Sequence, residues 1–118
     1  MKAYTDLEQS CKLAEILPME SADMYYHNRV DIPDNFPLPI EWKRNNPLLS
    51  QEIPCWSLAA LLELLDYPQL SKDKLGSGRV GWIVSNYPDN CRYDSCWHDN
   101  PVDACYEMII KLNELKML

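Results

Sequence analysis

Apolar residues dominate one central segment of the chain almost without interruption. Between Ile53 and Leu65, only Ser57 and Glu63 break the apolar run. A helix without a polar stripe is covered on most of its sides by the rest of its protein or by a partner. The pattern therefore predicts a buried helix over residues 55–66, around which the core is built.

A second helix is predicted near the N-terminus, where apolar residues recur at helical spacing over residues 5–17. Thr5 and Glu8 fit a capping box, in which both side chains accept hydrogen bonds from free backbone amides at the helix start. After this helix, the stretch Ser21–Tyr26 is interpreted as a further short helical turn.

The clearest amphipathic pattern covers residues 101–117 and predicts a C-terminal helix. Asn100 is a good N-cap, and Pro101 suits the first helical position because its missing N–H has no partner there. Glu107 and Lys111 are four residues apart, and we expect them to face solvent as an ion pair.

Extended structure is predicted between the central apolar helix and the C-terminal helix. Residues 79–85 are rich in β-branched and aromatic side chains and lie between glycines and a Tyr-Pro-Asp-Asn turn. Residues 91–97 supply an antiparallel partner, so that a β-hairpin covers 79–97. Residues 69–75 are a candidate third strand on the other side of 79–85.

Prolines set the character of residues 30–54, which would look like a linker if prolines alone were counted. The same segment contains too many apolar side chains for a solvated tether. We interpret it as an ordered extended segment that wraps the core, with residues 38–42 as an edge strand, where proline is tolerated.

Together these elements predict an α+β fold in one domain over residues 1–118. Because helices and strands are segregated rather than alternating, a parallel sheet is not expected. The predicted architecture is a small antiparallel sheet of two to three strands. The central apolar helix and the C-terminal helix pack on one of its faces.

Composition narrows the classes of function. Apolar residues at 47% and charged residues at 25% are typical of globular proteins and argue against disorder. The formal net charge is −7 and no basic patch is visible, so we expect no direct nucleic-acid binding. An acidic mimic of nucleic acid is a third interpretation of this charge, after the two developed below.

The cellular compartment is also suggested by the sequence. The N-terminus lacks the apolar region of a secretory signal, and no apolar run reaches the roughly 20 residues that a membrane helix needs. Five cysteines is an odd number, as expected for free thiols in a reducing compartment. We therefore expect a cytoplasmic protein that does not enter a membrane.

Four side chains within fifteen residues are the sharpest chemical candidates: Cys91, Cys96, His98 and Cys105. Cysteine and histidine are the ligands of structural zinc sites, and a cysteine beside a histidine can serve as a nucleophile. The spacing C-x4-C-x-H-x6-C lacks the short gaps of common zinc modules, and no phosphate-binding glycine loop or serine elbow occurs. We predict no enzyme, cofactor or metal, and keep a zinc- or thiol-dependent module as the alternative.

Aromatic and arginine side chains at the ends of predicted elements indicate a different function. Tyr25, Tyr26, Arg29 and Trp97 lie beside polar residues, a combination that protein interfaces favour. The leading prediction is therefore a non-enzymatic module that binds an unknown protein partner through these residues.

Three stretches, 21–26, 53–62 and 100–109, resemble a family of short, uncharacterised proteins that is frequent in gut Bacteroidetes and in their phages and mobile elements. The order of the three blocks is the same. The resemblance implies no activity, cofactor or catalytic residue, and it implies a partner from a phage or its host. It also implies that Cys55 is incidental and that the hairpin region is variable.

Overall fold

The computed structural model describes residues 2–27, 36–43, 48 and 52–118. Its helices are α1 (Leu7–Ala14), α2 (Leu58–Glu63) and α3 (Pro101–Glu114). Its strands are β1 (Met24–Tyr26), β2 (Leu38–Pro39), β3 (Ile53–Cys55), β4 (Gln69–Lys74), β5 (Val80–Asn86) and β6 (Tyr93–Asp94). Short 3₁₀ turns cover Met19–Ser21, Ile40–Lys43 and Pro88–Asn90. Within these described ranges, every helix is too short or too polar to cross a bilayer.

The α+β prediction is confirmed, with two small antiparallel sheets in the described residues. The first sheet has the order β2-β1-β3 and the second has the order β4-β5-β6. The second sheet is the predicted one, because β5 lies between a strand that starts at Gln69 and a strand within residues 91–97, as expected. The first sheet was not predicted.

The first sheet forms where a helical turn was expected. Met24–Tyr26 is its central strand, and Tyr25 pairs with Leu38 on one side and Pro54 on the other. Adjacent tyrosines favour a pleated strand over a helix, which explains the error. The predicted edge strand over 38–42 is reduced to Leu38–Pro39. Residues 30–35, 44–47 and 49–51 of the predicted wrap lie outside the described residues.

The central helix is shorter than predicted, because Ser57 divides the apolar run. The Ser57 hydroxyl accepts a hydrogen bond from the Ala60 N–H at 3.3 Å and so caps α2. The Ser57 N–H and hydroxyl in turn donate to Asp23. The residues before Ser57 therefore form β3 instead of a first helical turn, and Glu63 in α2 is exposed.

Helix α1 is capped one residue later than expected. Asp6 accepts from the Gln9 N–H at 2.8 Å, and Gln9 accepts from the Asp6 N–H at 3.2 Å, which completes the capping box. Thr5 is buried instead, with its hydroxyl 2.7 Å from that of Ser10 and accepting from the Trp56 N–H at 3.2 Å. This buried network ties the N-terminal segment to the residue after β3.

Helix α3 confirms its prediction and organises the core. Asn100 accepts from the Asp103 N–H at 2.8 Å, and Pro101 occupies the first helical position. Of the predicted apolar stripe, Cys105, Met108, Ile109 and Leu112 are buried, whereas Leu115 lies just beyond the end of α3 and is exposed. One side of α3 packs on β5, and α2 packs on α3. The second sheet therefore has one face toward α3.

Candidate functional site

The second sheet has an outer face that α3 does not cover. Val84 is buried in the core, so the β5 residues one position away, Ile83 and by alternation Gly81, point to the opposite side. In the ladder, Ser71 of β4 lies beside Ile83 and Asp73 lies beside Gly81, which places these residues on the same face. This outer face carries the strongest candidate site among the described residues.

Trp97 lies on the outer face, directly over Gly81. A Cβ atom at position 81 would be 3.0 Å from Cε3 of Trp97 and 3.0 Å from Cδ1 of Leu75. Only glycine therefore allows both side chains to lie against the strand at this point. Trp97 nevertheless remains 43% exposed. Leu75, Gly81, Ile83 and Trp97 together form an apolar surface that we name the Trp97 patch.

A β-bulge turns Trp97 outward. Ser85 pairs with Asp94, and Trp82 exchanges both backbone hydrogen bonds with His98, at 2.7 and 2.8 Å. The chain advances four residues from Asp94 to His98 against three from Ser85 back to Trp82, which is one extra residue. In a regular ladder Trp97 would lie opposite Trp82 and face α3. The bulge instead places His98 there and Trp97 on the outer face.

Glu107 of α3 holds the bulged segment in place. Its carboxylate lies 3.0 Å from Nε2 of His98 and accepts from the Cys96 N–H at 2.7 Å. Partial burial raises the pKa of the Glu107 carboxyl, but these hydrogen bonds outweigh it and hold the pKa below its usual range. Lys111 donates to the Asp94 carbonyl at 3.3 Å. The predicted Glu107–Lys111 ion pair is therefore wrong, because Glu107 bonds to Cys96 and His98 and Lys111 bonds to β6 instead.

The structure separates the four candidate zinc or thiol residues. Cys105 is fully buried in the core, where burial raises the pKa of its thiol to about 12, whereas Cys91 and Cys96 are exposed. Of the four residues, only Cys96 and His98 come together, since the Cys96 N–H and the His98 ring both contact the Glu107 carboxylate. Across the described ranges, no three histidine, cysteine, aspartate or glutamate side chains are grouped to hold a metal ion. In the same part of the chain no hydrogen bond joins the Cys96 thiol to His98.

The predicted partner-binding residues also separate. Tyr25 and Tyr26 are buried, so their rings are not on the surface that a partner would contact. The Tyr26 hydroxyl donates to the Thr5 carbonyl at 2.7 Å, and the Lys43 ammonium lies 5.3 Å from the centre of the Tyr25 ring. Arg29 lies outside the described residues. Of the four, Trp97 is the one that the structure places on the surface.

Positive charge is concentrated on the β4–β5 hairpin. Residues 69–80 contain Lys72, Lys74 and Arg79 against one carboxylate, Asp73. The Lys72 ammonium lies 5.3 Å from the centre of the Trp82 ring. Arg79 contacts an exposed aspartate at 2.6 Å, a pair that solvent screens strongly. The hairpin therefore has a local excess of positive charge, although the chain as a whole is acidic.

Sequence reasoning missed two residues that build this site, Gly81 and Glu107. An isolated glycine inside a strand-like run is a signal for close approach of another group, and Gly81 had that signal. No sequence signal indicated the role of Glu107, because the groups that it binds, the Cys96 N–H and the His98 ring, are eleven and nine residues away and come close only in the fold.

Comparison of the chain with protein-family models, with curated proteins and with solved structures found no match. The family resemblance of the three sequence blocks therefore stays an expectation. What the protein does has to be argued from the geometry of the Trp97 patch and its surroundings.

Proposed function

We propose that this protein is a non-enzymatic interaction module that binds another protein through the outer face of its second sheet. The observation that carries the proposal is the half-exposed side chain of Trp97, whose ring atom Cε3 closely approaches Gly81. Tryptophan is the residue most enriched among those that dominate binding energy at protein interfaces. Leu75 and Ile83 extend the apolar surface around it.

The bulged segment is held from two sides, which favours binding. On one side, the His98 backbone is hydrogen-bonded to the Trp82 backbone. On the other side, the Cys96 N–H and the His98 ring both contact the Glu107 carboxylate. A side chain that is already held loses less conformational freedom when a partner docks. Trp97 is therefore presented as a preorganised anchor rather than as a mobile ring.

The edge of the second sheet offers a backbone surface beside the patch. Both edge strands of the first sheet contain a proline, Pro39 and Pro54, which cannot donate to an added strand. Strand β4 contains none. The Leu75 N–H donates to the Arg79 carbonyl, so by alternation the backbone of Lys74, and of Lys72, faces away from β5. The Lys74 N–H already donates to the Asp73 carboxylate at 2.8 Å, so the backbone of Lys72 is the part of this edge offered to an extended partner segment.

Charge favours an acidic partner segment at this edge. A strand that adds beside β4 places alternate side chains next to Lys72 and Lys74, and opposite charges at such positions are stabilising. A second copy of β4 would bring lysines together. The charge of the whole chain suggests a basic partner, but Lys72 and Lys74 give this edge the opposite sign on the face away from the Trp97 patch, while Asp73 lies on the patch face. The resemblance of the sequence blocks supports a partner from a phage or its host.

Two matched variants test the proposal. Trp97→Ser removes the anchor, whereas Tyr67→Ser removes an aromatic ring that is 85% exposed after α2. Each full-length protein is used to retain partners from a lysate of the source cells, and each retained protein is then produced and titrated. We expect a partner whose affinity falls about 30-fold with Trp97→Ser, since an interface anchor contributes at least about 2 kcal/mol. Tyr67→Ser should bind like the wild type.

Equal effects of the two substitutions, or no effect of Trp97→Ser, would contradict the proposed surface. Thermal unfolding of both variants controls for loss of the fold. The zinc- or thiol-dependent alternative rests only on the nearness of Cys96 and His98 at Glu107, where Cys96 contributes its backbone N–H and not its thiol. Metal analysis of protein purified without chelators separates the two functions, because one zinc per chain would contradict a metal-free interaction module.

A further inference from the structure

A cavity of about 300 Å³ shares no lining residue with the Trp97 patch. It is lined mainly by apolar side chains at or beyond the C-terminal ends of the three helices, among them Leu17, Leu64 and Met117. Asn86, the last residue of β5, also lines it. This volume is at the lower end of the range of small-molecule sites.

Asn86 carries a buried donor without an acceptor. The residue is 1% exposed, and its Oδ1 accepts a hydrogen bond from the Asp66 N–H at 2.7 Å. That bond fixes the orientation of the amide, because the Asp66 N–H can only donate to the oxygen. Nδ2 therefore presents its two hydrogens elsewhere, and no acceptor for them exists in the described part of the chain. Buried donors are nearly always paired, so this one requires an explanation.

We propose that the cavity binds a small, neutral, largely apolar molecule whose single hydrogen-bond acceptor pairs with Nδ2 of Asn86. The apolar lining favours a hydrocarbon body, and the amide requires a carbonyl or hydroxyl oxygen. A carboxylate is disfavoured, because Asp66 lines the same cavity and the C-terminal end of α3, with its partial negative charge, borders it. An ammonium group cannot accept from the amide. The ligand class is therefore a small alcohol, ketone or amide.

The proposal is tested by nuclear magnetic resonance of the full ¹⁵N-labelled chain. The neutral probes are 1-hexanol, 2-heptanone and hexanamide, and hexanoate is the charged counterpart. We expect at least one neutral probe to shift the Asn86 side-chain amide signals saturably, and hexanoate to bind at least tenfold more weakly.

Two substitutions of equal charge complete the test. Asn86→Asp keeps an oxygen for the Asp66 N–H but removes the donor, and should weaken binding of the neutral probe about five- to tenfold. Asn113→Asp places the same charge on an exposed residue that also lines the cavity and should have little effect. If Asn86→Asp does not fold, the wild-type shifts and the hexanoate comparison decide.

Three results would overturn the inference. The first is the absence of saturable shifts at Asn86 with all three neutral probes. The second is an equal loss of affinity in Asn86→Asp and Asn113→Asp. The third is a water molecule that gives a persistent cross-relaxation signal to the Asn86 amide and that no probe displaces, which would make the partner an ordered water only.

Discussion

Replacement of Gly81 by alanine tests the geometry on which the Trp97 patch depends. The added Cβ would be 3.0 Å from Cδ1 of Leu75, 3.2 Å from its Cγ and 3.0 Å from Cε3 of Trp97, where ordinary contacts start at 3.4 Å. Both side chains must therefore retreat by a few tenths of an ångström. Because both are only partly buried, they can move outward, away from the sheet.

The size of the effect follows from this contact. Overpacking a well-filled site costs about 1–3 kcal/mol, and the outward freedom of Trp97 places Gly81→Ala in the lower half of that range. For a chain of this length, a loss of about 1–2 kcal/mol corresponds to a fall in Tm of roughly 3–10 °C. The displaced ring should also bind the proposed partner more weakly.

The other two glycines of the same hairpin supply matched controls. A Cβ at Gly76 meets nothing within 4 Å, so Gly76→Ala should change stability by less than about 0.5 kcal/mol. Gly78 has a φ of +85°, so Gly78→Ala should cost about 1 kcal/mol through the backbone but leave Trp97 and partner binding unchanged.

Urea and thermal unfolding, followed by far-UV circular dichroism, measure all three variants. The decisive comparison adds Gly81→Ala to a Trp97→Ala background, where one of the two obstructing groups is absent. The cost of the alanine should then fall by about half or more, as a coupling between contacting residues requires. If Gly81→Ala is as stable as Gly76→Ala, or if its cost is the same without the tryptophan, the ring does not lie on Gly81 and the reasoning is refuted.

Three further predictions concern the frame around the site. Thr5→Val should lower the free energy of unfolding by about 1–3 kcal/mol in urea titrations, because the Trp56 N–H loses its buried side-chain acceptor, whereas Thr5→Ser should cost less. Because the folded pKa of Glu107 is depressed, the contribution of its carboxylate to stability is present above about pH 4.5 and is lost on acidification. In acid unfolding, Glu107→Gln should therefore lose less stability than the wild type between about pH 5 and pH 3. An equal loss would contradict the hydrogen bonds of Glu107. Native thiol labelling followed by mass spectrometry should modify the three exposed cysteines and leave Cys55 and Cys105 unmodified until the chain unfolds.

Elements with strong local signals could be predicted from the sequence. Helix α3 has its N-cap, its first-turn proline and its apolar stripe within a few residues of one another, so each signal supports the same boundary. Strand β5 is likewise bounded by glycines and by a proline-containing turn. In both cases the information needed to choose the structure lies inside the element.

The first sheet could not be predicted, because its information lies between segments. β1 and β3 have three residues each and pair across about thirty positions of the chain. A short apolar run reads equally well as a buried strand or as part of a helix, and periodicity cannot decide between them. Pairing with β1 makes Ile53–Cys55 a strand, and that pairing is not visible within the segment itself.

The candidate site was predicted in part, for a similar reason. Trp97 was identified by its residue type and its position near an element end, which are local features. The burial of Tyr26 depends on the carbonyl of Thr5, twenty-one residues away, and the role of Glu107 depends on α3 packing beside the bulge. Exposure and orientation are decided by such tertiary contacts, which residue type alone does not reveal.

The bulge before His98 also affects how this chain should be aligned with others. Cys96 and Trp97 together lie opposite Ile83, since Ser95 is bonded to Val84 and His98 to Trp82. A chain that lacked the residue at position 96 would continue the ladder regularly and would still direct the tryptophan outward and the histidine toward α3. A one-residue gap at this point is therefore compatible with an unchanged surface. A sequence alignment without that gap would align Trp97 with a residue that does not occupy the equivalent position.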